Sequence, residues 1–246
     1  MLHPSVFAIS ATALVALSSG CSSAQAEPGS QWSASTYYGG SEQVTGSGVA
    51  ASEARAVGRF DSIRTDSAVD IVVRQGPRRD VIVQADDNLL GNVTLDVDAD
   101  GTLVVSSTGS YRSRIGLRAI VTVPELTGAA VRGSGDITFE EWDARSLALA
   151  IAGSGDIRFR GSLDRVDASV AGSGDIDLTN ARVGDAHASV AGSGDIRLPS
   201  LDTLYGSING TGDIRAGDVD RAFGSVAGTG EISYASARSA TGTFGR

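Results

Sequence analysis

One phrase, Gly-Ser-Gly-Asp-Ile, recurs down the second half of this 246-residue chain, and its spacing constrains the fold more than any other feature. GSGDI starts at Gly133, Gly153, Gly172 and Gly192, GTGDI at Gly210 and GTGEI at Gly228. Successive first glycines are 20, 19, 20, 18 and 18 residues apart. A unit that short cannot bury an apolar face alone, so its copies must stack on one another as a solenoid.

Alignment on the first glycine exposes an alternation of period two. Val131, Ile151, Val170, Val190, Ile208 and Val226 lie two residues before it. Ile137, Ile157, Ile176, Ile196, Ile214 and Ile232 lie four after it, and Phe139, Phe159, Leu178, Leu198, Ala216 and Tyr234 six after it. Alternation of this kind belongs to strands, whose successive side chains point to opposite faces. Two glycines per repeat would weaken any helix. A strand that recurs once per coil pairs with its own copies, which predicts parallel sheets and a ladder of six stacked isoleucines. Four residues before the glycine, Ala129, Leu149, Ala168, Ala188, Gly206 and Gly224 become smaller along the chain, which predicts a narrowing interior. The paired glycines suit a bend that needs either positive φ or close backbone approach.

Each ladder isoleucine follows an acid: Asp136, Asp156, Asp175, Asp195, Asp213 or Glu231. Stacked carboxylates repel unless they are screened, hydrogen-bonded or metal-bound. The residues two further on, Thr138, Arg158, Asp177, Arg197, Arg215 and Ser233, share their side of the strand and include three arginines. This favours a mixed-charge outer face with turn-capping carboxylates. The alternative is a calcium row, since hard cations take oxygen ligands. The calcium-binding nonapeptide, however, places its acid two residues after the last glycine, whereas here the acid follows directly.

Composition narrows the chemistry. A formal net charge of −9 argues against a nucleic-acid partner. All basic residues are arginine, so neither a Schiff-base lysine nor a phosphate-binding Walker lysine is available. Beyond the leader, His187 is the sole histidine, outward by strand parity and read as an ordinary surface residue. No GxSxG elbow is present, and a Cys/His zinc site cannot be assembled. We therefore expect no catalytic residue and no cofactor. Paired carboxylates for polysaccharide cleavage remain an open alternative.

Val6 to Leu17 is apolar but too short to span a bilayer and reads as a signal-peptide core. Leu17-Ser18-Ser19-Gly20-Cys21 resembles a bacterial lipobox, with Cys21 as the acylated residue and a leucine one position early. Ala24-Gln25-Ala26 offers a competing cut that would release a secreted protein. The position of the only cysteine, directly after the apolar segment, favours the lipid anchor. Either cut places the chain outside the cytoplasm, in the periplasm or outer membrane if anchored and secreted otherwise.

The expected organisation is a leader and lipobox over residues 1–21, a Gly/Ser/Ala-rich tether over 22–55 and one solenoid domain over 56–246. Trp32, Tyr37 and Tyr38 fall in the tether. Within the domain, irregular coils over 56–126 precede the GSGDI coils over 127–234 and a polar cap or tail over 235–246. Strands are predicted at Val69–Arg74, Asp80–Ala85, Val93–Val97, Thr102–Ser106 and Arg118–Val123, with turns at Gly76-Pro77 and Asp100-Gly101. Ser67-Ala68-Val69-Asp70-Ile71 reads as a worn copy of the phrase.

Phe60-Asp61-Ser62-Ile63, Asp70-Ile71-Val72-Val73, Leu103-Val104-Val105, Val121-Thr122-Val123-Pro124 and the serial GSGDI together resemble the head GIN domain family of auto-transporter adhesins. The likeness covers roughly Ala56 to Tyr234. It implies an all-β, single-stranded right-handed parallel β-helix on an exported bacterial protein, often a lipoprotein, and it brings no catalytic residues. Three functions follow as expectations. The first is a non-catalytic cell-envelope module that binds glycan or surface protein. The second is a polysaccharide-active enzyme, and the third a structural envelope spacer.

Overall fold

A computed structural model describes residues 43–245. The leader, Cys21, the cut after Ala26 and the tether aromatics lie outside the described residues. Among the described residues seventeen strands run in chain order: β1 (Val44–Thr45), β2 (Ala50–Ala54), β3 (Ser62–Thr65), β4 (Asp70–Gln75), β5 (Asp80–Asp86), β6 (Val93–Val97) and β7 (Thr102–Ser107). There follow β8 (Tyr111–Arg112), β9 (Arg118–Val123), β10 (Gly128–Val131), β11 (Ile137–Ile151), β12 (Ile157–Val170) and β13 (Ile176–Val190). The last four are β14 (Ile196–Arg197), β15 (Leu201–Ile208), β16 (Ile214–Val226) and β17 (Ile232–Gly242). The only helical turn among the described residues is 3-10, at Leu90–Asn92.

These strands wind into a β-solenoid of about six turns. From β10 onward each coil pairs parallel with the next. The isoleucine ladder forms as expected and gains a rung, because Ile71 aligns with Ile137 and the register then passes through Ile157, Ile176, Ile196 and Ile214 to Ile232. All seven are buried, as are Phe139, Phe159, Leu178 and Leu198 of the companion row. Beside the small residues of the later coils a ladder isoleucine fills the space: a Cβ on Gly206 would stand 2.9 Å from Ile232 Cδ1.

The early coils depart from chain order. β3 lies between β7 and β10, and β4 lies between β9 and β11. The first coil in sequence is thus the second in space, and the chain crosses it between β9 and β10. The end beyond β7 and β9 is closed by antiparallel pairings: β6 is antiparallel to β7, β5 to β9, and β2 to β5. Such strands cover a sheet edge that would otherwise template pairing with another chain.

Two stretches carry strands that the sequence pattern does not announce. Residues 44–54, read as tether, contain β1 and β2. Backbone pairing holds β2 along β5, and the buried Asp86 carboxylate accepts the Gly48 N–H at 2.7 Å as well as the Ser113 hydroxyl. Pairing of this kind leaves no hydrophobic periodicity in a Gly/Ser/Ala stretch. Residues beyond 234, read as a cap or tail, continue as β17 in register with β16 to Gly242. Closure falls to the next three residues: Phe244 accepts the Ile232 N–H where earlier coils use the following acid's carbonyl, and its ring packs edge-on against Tyr234.

Candidate functional site

The GSGDI bends stack directly on one another. Ser154 N donates to Gly133 O, Ser173 N to Gly153 O, and Ser193 N to Gly172 O, each at 3.0 Å. The phrase glycines are not in the positive-φ region. What they require is close approach: a Cβ on Gly153 would stand 2.0 Å from Gly133 O, and one on Gly174 2.0 Å from Gly155 O.

The structure brings all six acids of the phrase into one row, and Asp70 extends it. Asp136 N donates to Asp70 Oδ1, Asp156 N to Asp136 Oδ1, and Asp175 N to Asp156 Oδ1. Asp195, Asp213 and Glu231 repeat the link, so each carboxylate caps the backbone of the next acid along distances of 2.8–3.1 Å. The second oxygens meet arginines. Arg158 bridges Asp136 and Asp156, Arg197 bridges Asp175 and Asp195, and Arg215 bridges Asp195 and Asp213. Asp177 sits in register between Arg158 and Arg197. The row is thereby tied up by its own scaffold. Among the described residues, no group of three or more His, Cys, Asp or Glu side chains is arranged to hold a metal ion.

Asp195 is the most committed member. Burial raises its carboxyl pKa, but the Asp213 N–H, the Arg215 hydrogen bond and the charges of Arg215 and Arg197 outweigh that and hold it below the ordinary value. A carboxyl depressed by folding stabilises the fold above its unfolded pKa, about 3.9, and that contribution is lost as pH falls through the folded value. Asp195→Asn should therefore melt lower than wild type at pH 7, with the gap closing toward pH 3. A gap equally wide at both pH values would mean that the ionised carboxylate is not what holds the coils.

A second surface lies five and three residues before each first glycine. Outward from the strands stand Asp167, His187, Tyr205 and Phe223 in one row, and Ser169, Ser189, Ser207 and Ser225 in the other, in register through β12, β13, β15 and β16. His187 contacts Tyr205 with ring centroids 4.6 Å apart, and Tyr205 stacks on Phe223 at 4.9 Å with planes 9° apart. Tyr205 and Phe223 remain 44% and 39% exposed. Arg165 Nη2 lies 3.2 Å from His187 Nε2 and 3.4 Å from Asp167 Oδ1, closing the ladder with polar groups. A largely apolar groove of about 600 Å³ runs along these rows over small residues that include Ala168, Ala188, Gly206 and Gly224.

His187 points outward, as strand parity predicts, but its ring belongs to this stack. Tyr205 and Phe223 were not expected from the sequence. The missed signal is the column five before the glycine, where Asp, His, Tyr and Phe succeed one another at the repeat period.

No curated protein matches the chain. Several solved structures share the fold, two of them as follows. One, from Bacteroides fragilis and described as "a putative adhesin", is 20% identical with a TM-score of 0.59, covering 81% of this chain and 100% of that one. The other, from Parabacteroides merdae and described in the same words, is 19% identical with a TM-score of 0.61, covering 82% and 97%. The model of the family described as "Putative auto-transporter adhesin, head GIN domain" matches residues 59–236, most of the solenoid, and the chain belongs to that family.

Proposed function

We propose that this protein is an exported, non-catalytic cell-envelope module that binds glycan or surface protein through the aromatic and serine rows of its later coils. The observation that carries this reading is the exposed ladder of His187, Tyr205 and Phe223 beside an apolar groove. Aromatic side chains left out of the core at successive coils cost solubility without adding to internal packing, and exposed apolar patches commonly mark interaction sites. Export rests on the apolar Val6–Leu17 segment, with Cys21 as the lipid-bearing residue. Among the described residues no helix is long and apolar enough to cross a membrane. Binding without cleavage is favoured because the groove lining holds one carboxylate, Asp167, whereas glycoside hydrolysis uses a pair.

Probing arrays of immobilised glycans and surface proteins tests this, with reducing-end release assayed in parallel. Wild type should bind. Tyr205→Ala/Phe223→Ala should lose at least about ten-fold in affinity, equivalent to about 1.4 kcal/mol, at an unchanged melting temperature. Reducing-end release that disappears in Asp167→Asn would make the protein an enzyme. Absence of any binding would leave a structural spacer.

A further inference from the structure

We infer that the ligand of this face is an uncharged, linear, β-linked glycan lying along the stack, roughly one sugar ring per coil. The inference rests on the binding reading above and names its ligand.

Charge comes first. Apart from the phenol of Tyr205, the only ionisable groups lining the groove are Asp167 and His187, and Asp167 already faces Arg165. No unpaired fixed charge awaits a charged ligand, although the chain as a whole is acidic. An anionic polymer or a basic peptide would find nothing here to balance it.

Geometry comes second. The two rows cross the strands and repeat once per coil, at the inter-strand spacing of about 4.7–4.9 Å. A ligand that uses equivalent contacts in successive coils must be elongated and must repeat near that distance. An extended peptide advances about 3.3 Å per residue, or about 6.6 Å between side chains on one face, and falls out of step within two coils. An extended β-linked pyranose chain advances about one ring length per residue, comparable to one coil.

Chemistry comes third. A pyranose has apolar C–H faces and a rim of hydroxyls. Tyr205 and Phe223 supply apolar surface, and Phe223 is followed in the next coil by Thr241, so one of its faces is not covered by another ring. The hydroxyls of Ser189, Ser207 and Ser225 make no hydrogen bond to other described residues. Each can donate and accept, as sugar hydroxyls require. An acyl chain in the groove would strip water from these serines and return no hydrogen bond.

Calorimetric titration with soluble β-1,4-gluco-, β-1,4-manno- and β-1,3-gluco-oligosaccharides of two to six rings tests the inference, with oligogalacturonate as the charged comparison. For at least one neutral series, affinity should rise with each added ring and level off once the chain outgrows the groove. It should be insensitive to salt. Phe223→Ala should weaken it at least about ten-fold, with melting temperature unchanged. Failure of all three neutral series, preference for the charged oligomer, or affinity independent of length would overturn the glycan. A protein or lipid ligand lost on Tyr205→Ala/Phe223→Ala would overturn the glycan yet keep the binding face. No ligand of any class would overturn both.

Discussion

Gly174→Val should lower the melting temperature by roughly 10 °C or more, or prevent folding altogether, while Ser173→Ala leaves it nearly unchanged. The added Cβ would stand 2.0 Å from the Gly155 carbonyl oxygen, a backbone atom that cannot rotate away. From the other side, a Cβ on Gly194 would stand 1.9 Å from Gly174 O, so the coils on both sides of this bend are packed equally close. Valine fits only if adjacent coils separate, which breaks the bond from Ser173 N to Gly153 O and disturbs the acid ladder beside it. A loss of about 4 kcal/mol is the expected scale for a forced buried overlap, and each kcal/mol moves the midpoint by roughly 2–4 °C in a domain of this size. The Ser173 side chain is exposed, and its removal should cost under about 0.5 kcal/mol. Because each coil touches only its neighbours, hydrogen exchange in Gly174→Val should accelerate first in β12, β13 and β14. Equal melting temperatures for Gly174→Val and wild type would refute the close stacking of the bends.

Phe139→Ala should cost about 3–5 kcal/mol, the range for deleting a fully buried aromatic ring. Its ring is inaccessible, meets Trp142 edge-on with centroids 5.6 Å apart, and lies 5.3 Å from Phe159 of the next coil. The strands above and below are held in register by backbone ladders, so the space cannot collapse without distorting two coils. Phe223→Ala removes a ring of the same kind from the outer face and should cost well under about 1 kcal/mol. Thermal denaturation of the pair separates the two roles: one phenylalanine supports the stack, the other meets the ligand. If Phe139→Ala melted like wild type, the ring would not be part of the core.

Much of the architecture was legible in the sequence because strand parity is local. The alternation that ends in Ile157 and Phe159 says which side chains turn inward without any knowledge of neighbouring coils. Repetition at 18–20 residues then says that like residues stack. The early strands were legible for the same reason, as β-branched runs between turn residues. The order of the first coils was not, because nothing in Asp70–Gln75 or Arg118–Val123 states which of them lies nearer to β11. That depends on where the antiparallel strands β5 and β6 take the chain. The strands at the two ends were not legible either: β2 and β17 are held by backbone pairing along one edge, and pairing of that kind does not need an apolar side-chain pattern.

The candidate site divides along the same line. The acid row looked like a site because six carboxylates recur in phase, and sequence alone could not say where their oxygens point. Only the stacking distance between coils brings Asp156 Oδ1 onto the Asp175 N–H and lets Arg215 bridge Asp195 and Asp213. Conversely, Tyr205 and Phe223 are ordinary residues in a linear reading and become a ladder only when β15 and β16 are laid side by side. By itself, then, the sequence determined the strand pattern, the coil length, the inward ladders and the bends. The tertiary structure alone decided why the bends must be glycine, that the acids cap the scaffold, and which outer rows form a surface. Parity and period belong to one strand's pleat, whereas a carbonyl in place of a Cβ, a carboxylate on a neighbour's N–H and a ring over a ring exist only between coils.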